Sequence, residues 1–187
     1  MLDPQSDILT ALYRQQADQA NRLADAATAL TVWEAAALGR DAVLERLVAA
    51  DQSLVNAFSP DGYLPVALAA FFGHPSAVRL LLTRGAAVDQ PARNPMQVQP
   101  LHAAVAGRNA EAVAAILDRG ADANARQQAG YTPLMGAASS GRADIADLLL
   151  DRGADRSLLS DDGKSAEIIA QEHGHPELAA RLAPRPR

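Results

Sequence analysis

The chain has 187 residues, 49% of them apolar but only 4% aromatic, with a formal charge of -5 and no cysteine. Dominated by Ala and Leu, it suits close-packed helices better than a β-rich core; the missing cysteine excludes disulfides, thiolate metal sites and a Cys nucleophile. The acidic balance weighs against tight binding to nucleic acid or to an anionic membrane, and no run of about 18 apolar residues exists to span a bilayer. The opening residues show no basic end leading into an apolar stretch, so export is not expected and a cytoplasmic location is.

Residues 5–30 carry Ile8, Leu9, Leu12, Tyr13, Ala20 and Leu23 at helical spacing. They read as a degenerate helix pair with Gln15 near its turn, or as one long helix. The polar remainder, including Gln16, Asp18, Gln19 and Arg22, suits a terminal cap with a wet outer face. Trp33 falls on the next helix and is expected to fill the seam with this cap.

Further along, Pro65, Pro100 and Pro133 are each followed twenty residues later by Gly85, Gly120 and Gly153, and the prolines are 35 and 33 residues apart. A fixed period of this size describes a stack of similar units, each burying its apolar face against its neighbours. A small residue recurs at Ala35, Ala69, Ala104, Ala137 and Ala170, where it lets helices approach closely. An apolar column follows twelve residues later at Leu47, Leu81, Ile116, Leu149 and Leu182. Between the columns, Gly39, Gly73, Gly141 and Gly174 mark a turn between two helices. In the third unit Arg108 holds the turn position and Gly107 sits one place early, which predicts an altered helix end with the register kept. Proline opens the first helix of a unit, and glycine stops the second. The segments 56–63 and 124–131 read as hairpin-like projections. In the last unit Glu167, Gln171, Glu172 and Arg181 supply the polar surface that a terminal unit requires.

Thr132-Pro133-Leu134, Gln99-Pro100-Leu101-His102, Gly73-His74 and the run Gly120-Ala121-Asp122-Ala123-Asn124-Ala125 resemble the motifs of the ankyrin repeat. The resemblance is clearest over 59–158, weaker over 31–58 and 159–182, and faint before 31. It implies an all-α ankyrin-repeat solenoid with short β-hairpin-like fingers, about five repeats and an N-terminal helical cap. The expected division of a single domain, 1–182, is a cap or degenerate repeat at 1–30, repeats at 31–58, 59–91, 92–125 and 126–158, and a capping repeat at 159–182, followed by a disordered tail at 183–187. In the family, the Thr and His of the signature form a helix-capping pair. Here it is never complete: Leu64 is paired with Ala67, Gln99 with His102, Thr132 with Met135 and Ser165 with Ile168. Each lost cap costs about 1 kcal/mol. The loop from Gly85 to Pro100 is two residues longer than its equivalent, holds Pro91, Asn94 and Pro95, and has Gln97 where glycine is usual. It is either a recognition element or a tolerated insertion.

The resemblance further implies a non-catalytic protein-binding module, a monomer without cofactor, whose partner is another protein. Ankyrin proteins hold partners with finger tips and the exposed face of the first helices. Carried over, this places Phe58, Tyr63 and Tyr131 on fingers, Phe71 and Phe72 on the second unit's helix face, Met96 and Val98 on the long finger, Arg108 at the shifted turn, and Ser139 and Ser140 on the fourth unit's helix face. An apolar, aromatic cluster with a polar surround suits a protein interface. A structural role is the competing account for each aromatic taken singly: Phe71 against the neighbouring unit, the tyrosine rings against finger backbone. Arg93, Arg108 and Arg126 could select an acidic partner or simply be solvated. His173, His175 and Glu177 are the one metal-like grouping, but a spacing of two does not share a helix face. Asp144 and Asp147 read as solubilising charges on a second helix. Phosphate-loop, dinucleotide and nucleophile-elbow motifs are absent.

Overall fold

The computed structural model describes residues 6–183; of the disordered tail expected at 183–187, Ala183 is described and accepts from Arg156 at 3.3 Å, and the rest lies outside the described residues. Twelve α-helices follow one another in six pairs among those residues. The first pair is α1 (Asp7–Tyr13) and α2 (Ala17–Ala26), so the N-terminal segment is two helices and not one long one. It continues with α3 (Val32–Ala37) and α4 (Asp41–Ala50), α5 (Pro65–Phe71) and α6 (Pro75–Thr83), and α7 (Pro100–Ala106) and α8 (Ala110–Leu117). The last pairs are α9 (Pro133–Ser139) with α10 (Ala143–Asp151) and α11 (Ala166–Glu172) with α12 (Pro176–Leu182). The first helices α3, α5, α7, α9 and α11 pack in a row, and α4, α6, α8 and α10 form a second row behind them.

The period is written into the packing. Ala35, Ala69, Ala104, Ala137 and Ala170 are all fully buried, so consecutive first helices meet with no side chain larger than a methyl between them at that level. Of the apolar column, Leu81, Ile116, Leu149 and Leu182 are buried, while Leu47 is half-buried and Val48 takes the inner place. The reason is local: α2 leaves a groove beside α4, lined by Ala27, Leu30, Val43 and Leu47. The α1/α2 pair closes mainly on its own small core of Ile8, Ala11, Ala20 and Ala24. Trp33 lies on the seam as expected, packing with Leu9 and Leu68. Its indole N–H also donates to the Ala57 carbonyl at 2.9 Å.

The turn position is left-handed in every pair: φ is 60° at Gln15, 63° at Gly39, 83° at Gly73, 56° at Arg108, 68° at Gly141 and 79° at Gly174. The third unit therefore keeps the register, as predicted, with a non-glycine at the strained place. Gly107 is needed for another reason. A Cβ there would lie 2.4 Å from the Ala70 carbonyl oxygen and 2.5 Å from that of Phe71, so glycine lets the end of α7 meet the end of α5.

Arginines join successive second helices. Arg84 pairs with Glu45 at 2.9 Å and Arg152 with Asp118 at 2.6 Å, while Arg79–Glu111 and Arg181–Asp147 are equivalent contacts. Arg119 donates to the Leu82 carbonyl at 2.7 Å, and Arg142 donates to that of Arg108. Asp144 is held by Arg142 at 2.6 Å, so the two carboxylates expected to be simple solubilising charges are both engaged by arginine. Exposed pairs of this kind contribute roughly 0–1 kcal/mol each; their consequence is that most arginines along this side already hold a neighbouring unit.

Candidate functional site

On the opposite side, the loops between units turn back on themselves. Ser59 N–H donates to Tyr63 carbonyl at 2.9 Å, Ala92 to Val98 at 2.9 Å, Gln127 to Tyr131 at 3.0 Å and Ser160 to Lys164 at 3.0 Å. Each finger closes on one such backbone bond, and no β-strand is formed among the described residues. The fingers are also tied to one another: Arg93 N–H donates to Gly62 carbonyl at 2.8 Å, Gln128 to Met96 at 3.2 Å and Asp161 to Ala129 at 2.9 Å. Asn56 and Asn124, at the bases of fingers, donate from their side chains to the Gly85 and Gly153 carbonyls of the following unit at 3.2 and 3.0 Å.

The long finger is held on both flanks. The Asn94 side-chain amide donates to the Asp61 carbonyl at 3.0 Å, and its oxygen accepts from Met96 N–H at 3.1 Å. Gln97, standing in for glycine, takes a left-handed φ of 51°. Non-glycine residues pay about 1–2 kcal/mol for that conformation. This geometry leaves Met96 47% exposed.

Phe71 ends α5 and is 41% exposed. Its ring stands edge-on to Phe72 at 5.1 Å, and Tyr13 approaches both, 5.3 Å from Phe72 and 6.4 Å from Phe71. The Tyr13 hydroxyl donates to Asp61 at 2.8 Å; burial first, and then the Asp61 carboxylate, push the phenol well above its ordinary range. The other Asp61 oxygen accepts from the Ser59 hydroxyl. Between these side chains and α7 lies a hollow of about 220 Å³, whose lining includes Tyr13, Tyr63, Phe71, Met96, Val98 and Ala106.

Four of the residues expected from sequence therefore converge there: Tyr63, Phe71, Met96 and Val98. Phe72 backs the cluster through Tyr13. Phe58 lies elsewhere, half-buried on the core beneath the Arg93 guanidinium, 4.0 Å above its ring. Tyr131 is half-buried and its carbonyl meets His102 Nε2 at 3.2 Å; burial is the chief cause of its raised phenol pKa. Ser140 turns its hydroxyl back to the Gly136 carbonyl at 3.0 Å, Ser139 is half-buried, and Arg108 is exposed beyond the end of α7. Neither serine lines the hollow. Tyr13, Ala106, His102 and Gln127 line it without having been selected as contacts. Tyr13 carries a legible signal: it stands two residues before its unit's turn, the register position of Phe71 and Ala106.

The helix caps around the hollow are uneven. Thr132 oxygen accepts from Met135 N–H at 3.4 Å and Ser165 from Ile168 N–H at 3.3 Å. Thr31 and Glu34 form a reciprocal capping box, with Thr31 N–H donating to the carboxylate at 2.8 Å. Leu64 and Gln99 give no side-chain cap. Among the described residues, Gln99 Oε1 and His102 Nδ1 are both buried without a partner, the broken capping pair made visible. Since a carbonyl only accepts, Nε2 of His102 carries the proton it shares with Tyr131. Burial pulls this imidazole down to about 4.

Among the described residues, no three or more His, Asp or Glu side chains are grouped to hold a metal ion. His173 Nδ1 meets its own helix at the Ile169 carbonyl, 2.9 Å away, and His175 lies against Gly141. Nor is any helix there long and apolar enough to cross a membrane. A family model described as ankyrin repeats (3 copies) matches residues 32–127 and 101–186. No curated protein matches the chain.

Proposed function

The chain belongs to the ankyrin-repeat family, and we propose that it is a non-catalytic module that binds another protein through its first helices and fingers. The observation that carries this reading is the hollow, where Phe71 and Met96 stay exposed beside Tyr13, Tyr63 and Val98. Aromatic and apolar anchors in a partly enclosed pocket supply most of the energy of a protein interface. The hollow, at about 220 Å³, is smaller than the roughly 300–1,000 Å³ of pockets that enclose a small-molecule ligand. On the second-helix side, by contrast, arginines are already bound to neighbouring units. The long finger, fixed on both flanks with Met96 outward, acts as a recognition element in this reading.

The test is an affinity pull-down from the native cell with three baits: wild type, Phe71→Ala/Phe72→Ala, and Asp118→Ala/Arg152→Ala on the opposite side. The aromatic variant should recover about 30-fold less of the partner, as loss of an anchor worth about 2 kcal/mol requires, and the control should match wild type. Equal recovery by all three would place the interface elsewhere. Because Phe72 also packs toward Leu9 and Leu68, Phe71→Ala alone, checked by circular dichroism, separates lost contact from lost folding.

A further inference from the structure

We propose that the groove between α2 and α4, on the side away from the fingers, takes an amphipathic helix of a partner protein with a carboxylate opposite Arg46. This surface is separate from the hollow and does not depend on what the hollow binds. The stack itself sets the shape of the occupant. At later junctions each second helix lies against the one before it, α6 on α4, α8 on α6 and α10 on α8. Leu81, Ile116 and Leu149 are fully buried there, whereas their counterpart Leu47 is only half-buried. Val43, Leu47 and Ala50, at spacings of four and three, put an apolar stripe on one face of α4. The α2 helix turns its own apolar side to α1, and the chain just after it, through Ala27 and Leu30, forms the facing wall. About 590 Å³ is left between them. It is an open trough and not an enclosing pocket, since Ala27, Ala29 and Ala50 are all exposed. One helix as long as α4, roughly 15 Å for its ten residues, would complete the row.

Charge decides which helix. Three charged side chains line the groove: Asp25, Arg40 and Arg46. Arg40 and Asp25 pair with each other at 3.3 Å. Arg46 is exposed and has no carboxylate partner among the described residues. Its register shows what is missing. Arg46 stands one residue before Leu47 as Arg181 stands before Leu182, and the two leucines share a column. Arg181 reaches back to Asp147 of the preceding second helix. Arg46 is placed to make the same reach, toward a position that α2 leaves open. An incoming helix with a carboxylate there would satisfy the guanidinium, and one with a lysine would be repelled. The apolar stripe fits this mode of recognition, in which a helix lays side chains at i, i+3 or i+4, and i+7 into a groove.

The probe is a library of single α-helices displayed on phage, randomised on one face and panned on the full chain. Enriched helices should carry apolar residues at i, i+3 or i+4, and i+7 with an Asp or Glu beside them. As fluorescent peptides they should bind more weakly as salt is raised. Arg46→Glu should cost them about tenfold in affinity. A similar loss is expected on Ala27→Gln/Ala50→Gln, two exposed positions where longer side chains narrow the groove, and none on Phe71→Ala. Changing the peptide's acidic residue to Lys should restore binding to Arg46→Glu, a rescue that a misfolded variant would not show. No enrichment, enrichment of helices without an acidic residue, or indifference to both groove variants would overturn the proposal. So would self-association of the chain that Arg46→Glu abolishes, because it would give the groove to a second copy. None of these outcomes bears on the pull-down with Phe71→Ala/Phe72→Ala, which separately decides whether the finger side binds protein.

Discussion

Counted from α3/α4, the first pair after the N-terminal cap, the third and fourth helix pairs are α7/α8 and α9/α10, and they have the same plan and opposite manners. In the fourth, Thr132 caps α9, the turn falls on Gly141 and the finger before it carries Gly130, with Ala129 at φ 61° its one left-handed non-glycine residue. In the third, Gln99 leaves α7 uncapped, the turn falls on Arg108 at φ 56° and the finger turns on Gln97 at φ 51°. Where the fourth places Ser139 and Ser140 at the end of its first helix, the third has Ala106 and Gly107. The third pair also supplies Met96, Val98, His102, Ala103 and Ala106 to the hollow. Departures from local preference therefore gather in the unit that builds the candidate site, which is where a fold gives up stability for recognition. Making the third pair more like the fourth, one residue at a time, shows how much stability each departure costs.

The largest effect is expected from acid. His102 is 6% exposed with a folded pKa of about 4 against 6.5 when free, so between these values the unfolded chain binds more protons. Stability is complete above about pH 6.5 and is lost as pH falls toward 4, by up to about 1.4 kcal/mol per pH unit and about 3 kcal/mol in all. His74, also lowered by burial, adds in the same direction. Met135 is the fourth pair's residue at this place and has nothing to titrate. His102→Met should thus flatten most of the slope in urea midpoints taken across that window. Parallel profiles for the two proteins would refute the assignment.

A smaller gain is expected at the cap. In Gln99→Thr the hydroxyl oxygen can accept from the His102 N–H, as Thr132 does from Met135, while its proton reaches the unpartnered Nδ1. Stability should rise by about 1 kcal/mol, seen as a higher urea midpoint at unchanged slope. In a His102→Met background the gain should shrink, because the two side chains act as a pair. Equal gains in both backgrounds would mean that the two positions are not coupled.

Much of this plan was legible because a period fixes many positions at once. The alanine column, the turn at Arg108, the glycine-like conformation at Gln97 and the unpaired Gln99–His102 all follow from aligning the units. What escaped depends on contacts the period does not contain. Tyr13 reaches Asp61 from 48 residues away, a contact that its register position two residues before Gln15 does not by itself disclose. Phe58 was expected on the surface but finds Arg93 as a lid. Charges that looked solvated on one helix, such as Asp147, meet arginines one unit further on. Leu47 fails its column because the neighbouring α2 does not close over it.

The smallest stability effect sets the two roles of the third pair against each other. Arg108→Gly gives its turn the residue of the fourth pair and relieves a left-handed arginine. The relief of about 1 kcal/mol is partly offset by the greater freedom of glycine in the unfolded chain, leaving a net gain of a few tenths. The carbonyl that receives Arg142 is kept, so the joint to the next unit survives. The partner recovered in the pull-down should nevertheless be retained less well by the variant, since Arg108 is exposed beyond the end of α7. A more stable protein that binds less well would mean that arginine is held at the turn for its partner and not for the fold. If stability rose while recovery of the partner stayed the same, Arg108 would have no share in recognition.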